Sequence, residues 1–181
     1  FYSVLKTQDR YIKFAFLTGV TKFGKVSVFS DLNNLTDISM DHRYISICGM
    51  TEKELLTNFK EGIGELASAN EDNETETIDK LRMRYSGYHF EENSEEIYNP
   101  FSVLNTLANS RYDDYWFKAN THTFLIDILK KHDYCITEFS KAQVKANMMN
   151  NVDSNPIPGI YQSGYLTIKS YDERFKNYQL G

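Results

Sequence analysis

Tyr11-Ile-Lys-Phe-Ala-Phe-Leu17, followed at once by Thr18-Gly-Val-Thr-Lys-Phe-Gly-Lys-Val-Ser27, is the stretch on which the reading of this chain turns. Its first half is aromatic and aliphatic enough to read as a buried strand. Its second half is a polar turn that combines Gly19 and Gly24 with the hydroxyls of Thr18 and Thr21 and the ammonium of Lys22. Open α/β sheets present ligand-facing groups in this way, at the carboxyl ends of their strands. Gly19, four further residues and Gly24-Lys25 nearly spell a phosphate-binding loop. The next position should bring a hydroxyl to Mg²⁺, but Val26 stands there. Ser27 comes one residue late, and side-chain direction changes sharply over one residue. An ordinary surface turn after a strand is the plainer reading of the same residues.

Outward from that stretch, 181 residues allow one medium domain or two small ones. A hydrophobic fraction of 41%, with 14% aromatic residues, is enough for a packed core and excludes a disordered chain. The net charge of −5 and a pI near 5.4 argue against general attraction to nucleic acid or an anionic membrane. The apolar runs are too short for a transmembrane helix, and no signal-peptide pattern opens the chain. Cys48 and Cys135 lack a partner motif, and two free thiols in a cytoplasmic protein are the economical expectation. Phe1 opens the chain in what looks like the end of a helix, so the sequence reads as a piece of something longer.

Further along, Val26-Ser-Val-Phe-Ser-Asp-Leu32 is a second apolar stretch. Thr51-Glu-Lys-Glu54 is a capping box, which starts a helix burying Leu55, Leu56 and Phe59. Asn70 to Thr77 is a solvated loop or helix start, and Ile78, Leu81 and Tyr85 then recur at helical spacing up to Gly87. Asn99-Pro100 starts another helix, with Phe101, Leu104, Leu107 and Ala108 as its expected buried face. Tyr115-Trp-Phe117 reads as a short aromatic strand or core plug. A helix from Thr121 or Thr123 ends at Lys130-Lys-His132, and a weaker helical pattern covers Lys141 to Met149. Pro156 to Gly164 reads as a short helix closed by glycine. Tyr165–Lys169 and Phe175–Leu180 alternate as strands around a turn at 171–174, with Thr167 and Lys169 on the exposed side. A helix running into a hairpin is the end of a winged helix.

Catalytic patterns are scarce. His42, His89, His122 and His132 lack metal-ligand spacing, and no nucleophile elbow is present. Glu91-Glu92 and Glu95-Glu96 flank a turn with no apolar pocket to raise a carboxylate pKa. Arg82 and Arg84 lie on a helix beside aromatics, where a salt-bridged surface competes with a phosphate contact.

The stretch from Phe16 to Ser39 resembles the AAA-ATPase-like proteins of gut bacteria, a divergent P-loop NTPase group similar to archaeal-type and STAND ATPases. Ile47-Cys-Gly-Met-Thr-Glu-Lys-Glu-Leu55, Tyr85-Ser-Gly-Tyr-His-Phe90, Tyr98-Asn-Pro-Phe-Ser102 and the run Asn155 to Phe175 share that resemblance, in the same order. The resemblance implies an α+β, mainly helical fragment: residues 1–39 ending the ATPase core, 40–134 a helical lid, and 135–181 a winged-helix-like subdomain. Walker A and B would precede Phe1, and a PD-(D/E)XK nuclease-like domain commonly follows. The opening strand resembles sensor 1, with Thr18 and Thr21 as sensor hydroxyls and Gly19, Lys22 and Arg84 on the nucleotide side. Val20 replaces the serine that relatives tend to carry after Thr-Gly, and Met50 replaces a frequent arginine. ATP and Mg²⁺ would be bound by the complete protein and not by this fragment. Lys169 and Arg174 are the few basic residues of a weak, nonspecific nucleic-acid contact; a partner-docking or regulatory role is the remaining alternative.

Overall fold

The computed structural model describes residues 2–19, 35–118, 126–127, 129–130, 142–149 and 155–181. Within them the chain is α+β, with a helical unit in the middle and a short helix plus a three-stranded antiparallel sheet at the end. Helix α1 covers Tyr2–Thr7, as the opening residues suggested.

The decisive stretch does not become a strand. A 3-10 turn spans Asp9–Tyr11, and residues 12–19 carry no regular structure. Phe14 is 81% exposed, and Tyr11, Phe16 and Leu17 are exposed as well. A strand exists only where a neighbour takes its N–H and C=O groups. Among the described residues every strand belongs to the C-terminal sheet, and none runs beside 11–17. Among the described residues the composition of a buried strand is present without a sheet to bury it. Val20 to Asn34, including the near-P-loop and the second apolar stretch, lies outside the described residues.

The helical unit begins as the capping box dictates. The Thr51 hydroxyl oxygen accepts from Glu54 N (3.2 Å), and Glu54 Oε2 accepts from Thr51 N (2.9 Å), starting α2, Glu52–Asn58. Phe59 closes α2 and leads directly into α3, Lys60–Ala69. A second capping box, Asn73 with Glu76, starts α4, Glu74–Tyr85. Asn99 caps α5, Pro100–Asn109, by accepting from Ser102 N. Leu55, Ile63, Leu66, Leu81, Tyr85, Tyr98, Val103 and Leu107 form the core between these helices. Each fully buried Leu or Ile stabilises by roughly 1.5–3 kcal/mol.

Two buried faces differ from the spacing argument. Leu56 is exposed, leaving Leu55 as the fully buried residue of α2. On α5 the inward residues are Ser102, Val103, Thr106 and Leu107, whereas Phe101 and Leu104 face outward and Ala108 is exposed. Positions 102, 103, 106 and 107 form as good a helical stripe as 101, 104, 107 and 108. Neighbouring helices chose the slimmer one. Tyr115–Lys118 is a 3-10 turn rather than a strand. The helix expected from Thr121 or Thr123 lies largely outside the described residues, though Ile126, Asp127, Leu129 and Lys130 are helical.

In the tail, the helix expected over 141–149 is replaced by strand β1, Gln143–Lys145, and a 3-10 turn, Ala146–Met148. Val144 is buried opposite Tyr178, and this cross-strand pairing overrides the weak helical pattern. Asn155 caps α6, Pro156–Gln162, and Gly164 (φ +81°) follows it. Strands β2, Ile168–Asp172, and β3, Asn177–Leu180, form the expected hairpin, with β3 central in the order β1-β3-β2. The turn lies at 173–176, about two residues later than the sequence pattern suggested. A register irregularity between Ile168 and Ser170 leaves Lys169 and Ser170 both outward. Thr167 is buried, contrary to simple alternation, because it is hydrogen-bonded into the junction described below.

Candidate functional site

The candidate ligand-contacting residues fall in separate elements. Thr18 and Gly19 end the exposed, irregular stretch, and Thr21 and Lys22 lie outside the described residues. Arg84 is exposed in the last turn of α4, with its guanidinium carbon 5.7 Å from the centre of the Tyr112 ring. Lys169 projects outward from β2, and Arg174 sits in the hairpin turn with its guanidinium carbon 5.2 Å from the Phe175 ring centre. Phe175 itself is exposed, its N–H donating to Asp172 Oδ1 (3.0 Å). Among the described residues no group of His, Cys, Asp and Glu could hold a metal ion, and Cys48 is an exposed free thiol.

The motif Ile47 to Leu55 is accounted for by packing. A Cβ on Gly49 would lie 1.8 Å from Ile97 Cγ2, and Ile97 is buried, so only glycine fits. Met50 and Tyr98 exchange backbone hydrogen bonds (Met50 N to Tyr98 O, 3.2 Å; Tyr98 N to Met50 O, 2.8 Å). Thr51 and Glu54 are the cap, and Leu55 is core.

Arg82 makes the salt-bridged surface that the sequence allowed. Its Nε and Nη2 donate to the two oxygens of Glu52 (both 2.9 Å), and Nη1 donates to Asp79 Oδ1 (2.6 Å). The buried Tyr98 hydroxyl completes the group by donating to Glu52 Oε2 (2.8 Å). The hydrogen bonds from Arg82 and then Tyr98 hold the Glu52 carboxyl below its usual range, while Glu52 in turn pushes the Arg82 pKa up. Burial, followed by the Glu52 contact, pushes the Tyr98 hydroxyl up. With both sides of the ion pair partly exposed, its value is about 1 kcal/mol or less. Through the two bonds to Glu52 and the one to Asp79, Arg82 ties α2 to α4.

A second polar group is one that sequence spacing did not reveal. Residues 88–98 form an arm that leaves α4, turns, and returns to the helical unit. Its base is closed by Ile97 N donating to Tyr88 O (3.0 Å) and Asn99 N donating to Tyr85 O (2.8 Å). Its first residues, Tyr88 and His89, reach the tail. The Tyr88 hydroxyl donates to Tyr161 O (2.9 Å), and the Tyr161 hydroxyl donates back to His89 O (3.2 Å). The two rings stack at 5.5 Å with 16° between planes, and Phe90 meets Tyr88 edge-on. His89 N donates to the Thr167 hydroxyl oxygen (2.7 Å), and the His89 ring reaches Ser94 O through Nδ1 (3.0 Å). Burial pushes the Tyr88 hydroxyl well above its ordinary pKa and that of Tyr161 up to about 12. Tyr85-Ser-Gly-Tyr-His-Phe90, one of the family-like motifs, is therefore built for a junction. Its partner lies 73 positions away, beyond any local sequence signal.

No family model matches the chain, and no solved structure matches it. A curated relative from Azotobacter chroococcum mcd 1, described as "Uncharacterized protein in vnfD 5'region", is 36% identical over 170 residues, covering 92% of this chain. The chain spans 31% of the length of that relative.

Proposed function

We propose that this chain is the sensor, lid and winged-helix portion of a AAA/STAND-like ATPase, which reads the nucleotide state of a core supplied by other residues and relays it to the tail. The supporting observation is the stretch Tyr11–Leu17. It has the side chains of a central strand, ends in Thr18-Gly19, and leaves Phe14 81% exposed with no strand beside it among the described residues. A segment of that kind suits addition to a sheet built elsewhere, with its hydroxyl-bearing end facing a ligand. Walker A and B, ATP and Mg²⁺ belong, in this reading, to the longer protein. Hydrolysis is not expected from the fragment, because phosphoryl transfer depends on a phosphate cradle and metal ligands.

The test is made in the longer protein. Donors at a sensor position act where charge develops in the transition state, so Thr21→Ala should lower kcat by about tenfold to a thousandfold with ATP affinity nearly unchanged. Lys22→Ala should act in the same direction. Parental turnover in both variants would reduce the loop to a surface turn, and a loss of affinity at constant kcat would make it a binding element only. The fragment alone should show no heat of Mg-ATP binding in calorimetry. Micromolar affinity abolished by Lys25→Ala would restore the P-loop reading.

A second reading, a nucleic-acid-binding winged helix, draws on the exposed Arg174–Phe175 pair at the hairpin turn and Lys169 on β2. The net charge of −5 weighs against it. A tight, sequence-selective shift of duplex DNA that is lost in Arg174→Ala would favour it.

A further inference from the structure

The described residues form two hydrophobic cores: one between α2, α3, α4 and α5, the other between β1, α6, β2 and β3. Among the described elements, the closely packed pairs all fall within one unit or the other. The arm 88–98 crosses between them. Its base is bonded into the helical unit through Met50, Tyr85 and Tyr98, while the side chain of Tyr88 packs against the tail core. The Tyr88 hydroxyl donates to Tyr161 O, the Tyr161 hydroxyl donates to His89 O, and the Thr167 hydroxyl oxygen accepts from His89 N. Trp116 adds an edge-on contact with Tyr165 at 5.5 Å.

We infer that this arm is a clasp that makes the helical unit and the tail open and close as one cooperative body, with Tyr88, Tyr161 and Thr167 as its closing residues. The geometry supports more than passive contact. Three hydrogen bonds run in both directions over adjacent residues of the arm, and the Tyr88 and Tyr161 rings stack beside two of them. A buried donor or acceptor that loses its partner retains its full desolvation cost, so partial opening of such a group is disfavoured relative to complete opening. Cooperative units of this kind are recognised by a shared opening free energy of their amides. The inference concerns this chain alone and does not depend on nucleotide binding. If the ATPase reading holds, the clasp is the route by which lid movement reaches the tail.

Native-state hydrogen exchange on this chain tests it. The amides of Tyr178 and Leu180 report the tail, and those of Leu55 and Leu81 report the helical unit. In the parent chain the two sets should exchange through the same slowest opening. In Tyr161→Phe combined with Thr167→Val, the tail amides should exchange at least about tenfold faster while the helical amides hold their rates. Should the double variant fail to fold, Tyr88→Phe keeps the stacked ring and should give the same selective effect at about fivefold. Separate openings in the parent chain, equal acceleration of both units, or no acceleration in the variants would each overturn the clasp.

Discussion

Two stretches of this chain share a composition and meet opposite fates. Tyr11-Ile-Lys-Phe-Ala-Phe-Leu17 and the hairpin residues Tyr165 to Leu180 are both rich in aromatic and β-branched or aliphatic side chains, and both read as strands. The hairpin forms, with Ile168, Tyr178 and Leu180 buried against α6 and β1; residues 12–17 form no strand and expose Phe14 almost completely. What separates them is a partner. β3 has a neighbour on each side, and the hairpin turn brings β2 and β3 together at little loop-closure cost. Strand propensity describes suitability for a half-buried pleated surface and does not provide that surface.

The largest expected effect contrasts the two directly. Leu180→Ala removes a side chain with no exposure from the tail core and should cost about 2–5 kcal/mol in denaturant unfolding. Phe14→Ala, a larger truncation in the unpartnered stretch, should stay within about 0.5 kcal/mol in the same experiment. A cost for Phe14→Ala approaching that of Leu180→Ala would mean that 11–17 is buried in this chain after all.

Alkaline pH offers a second contrast, because the tail and its junction bury tyrosines while Tyr11 is exposed. Burial raises the Tyr161 pKa from 10.0 to about 12 in the folded chain. Below pH 10 this group's contribution is fully present. Between 10 and 12 the unfolded chain releases a proton that the folded chain keeps, and the contribution is lost as pH rises through the folded value. A displacement of two pKa units corresponds to roughly 3 kcal/mol. Unfolding midpoints measured from pH 9 upward should therefore fall, and Tyr161→Phe should remove part of the slope. An unchanged slope in that variant would show that Tyr161 is not the group responsible.

How much was legible follows the same line. Local signals succeeded because they need nothing distant. The Thr51–Glu54 box, the Asn99-Pro100 start and the glycine-closed helix before the hairpin all appear where the sequence set them. The Asn73–Glu76 box was equally available, since asparagine caps as well as threonine does. Readings failed where a choice among surfaces depended on remote residues: the strand at 11–17, the inward face of α5, and the 141–149 stretch that pairs with β3. The family-like motif around Tyr88 is a junction for the same reason, visible only once Tyr161 and Thr167 are beside it. Of the residues expected at a sensor or nucleotide site, Thr18, Gly19 and Arg84 are described, and none of them is bonded into either of the polar groups found.

A local signal can be weighed against the non-local ones. Thr51→Ala removes the acceptor for Glu54 N and the donor to its carboxylate, and should cost about 1 kcal/mol. Hydrogen bonds from the Thr51 amide and hydroxyl hold the Glu54 carboxyl below its ordinary 4.5. The cap is therefore intact above that value and lost as pH falls through the depressed folded one. Helicity followed by circular dichroism during acid titration should start lower in Glu54→Gln than in the parent and lose less as pH falls, because glutamine does not titrate. Coincident curves would remove the cap as the source of the loss.

The smallest effect has the opposite sign and bears on the misread face of α5. Thr106 is fully buried, and its hydroxyl has no hydrogen-bond partner among the described residues, whereas Phe101 and Leu104 on the same helix are exposed. A buried hydroxyl without a partner carries its desolvation cost uncompensated. Thr106→Val keeps the branched shape, removes that cost, and should stabilise the chain by about 1 kcal/mol. Leu104→Ser, on the outward face, should shift stability by less than about 0.5 kcal/mol. The pair separates two accounts of why α5 turns its slimmer side inward. If close approach of α5 to its neighbours selects small residues, valine fits and the variant gains. If instead the threonine hydroxyl is bonded in solution, Thr106→Val loses stability, and the inward face is set by polarity rather than size.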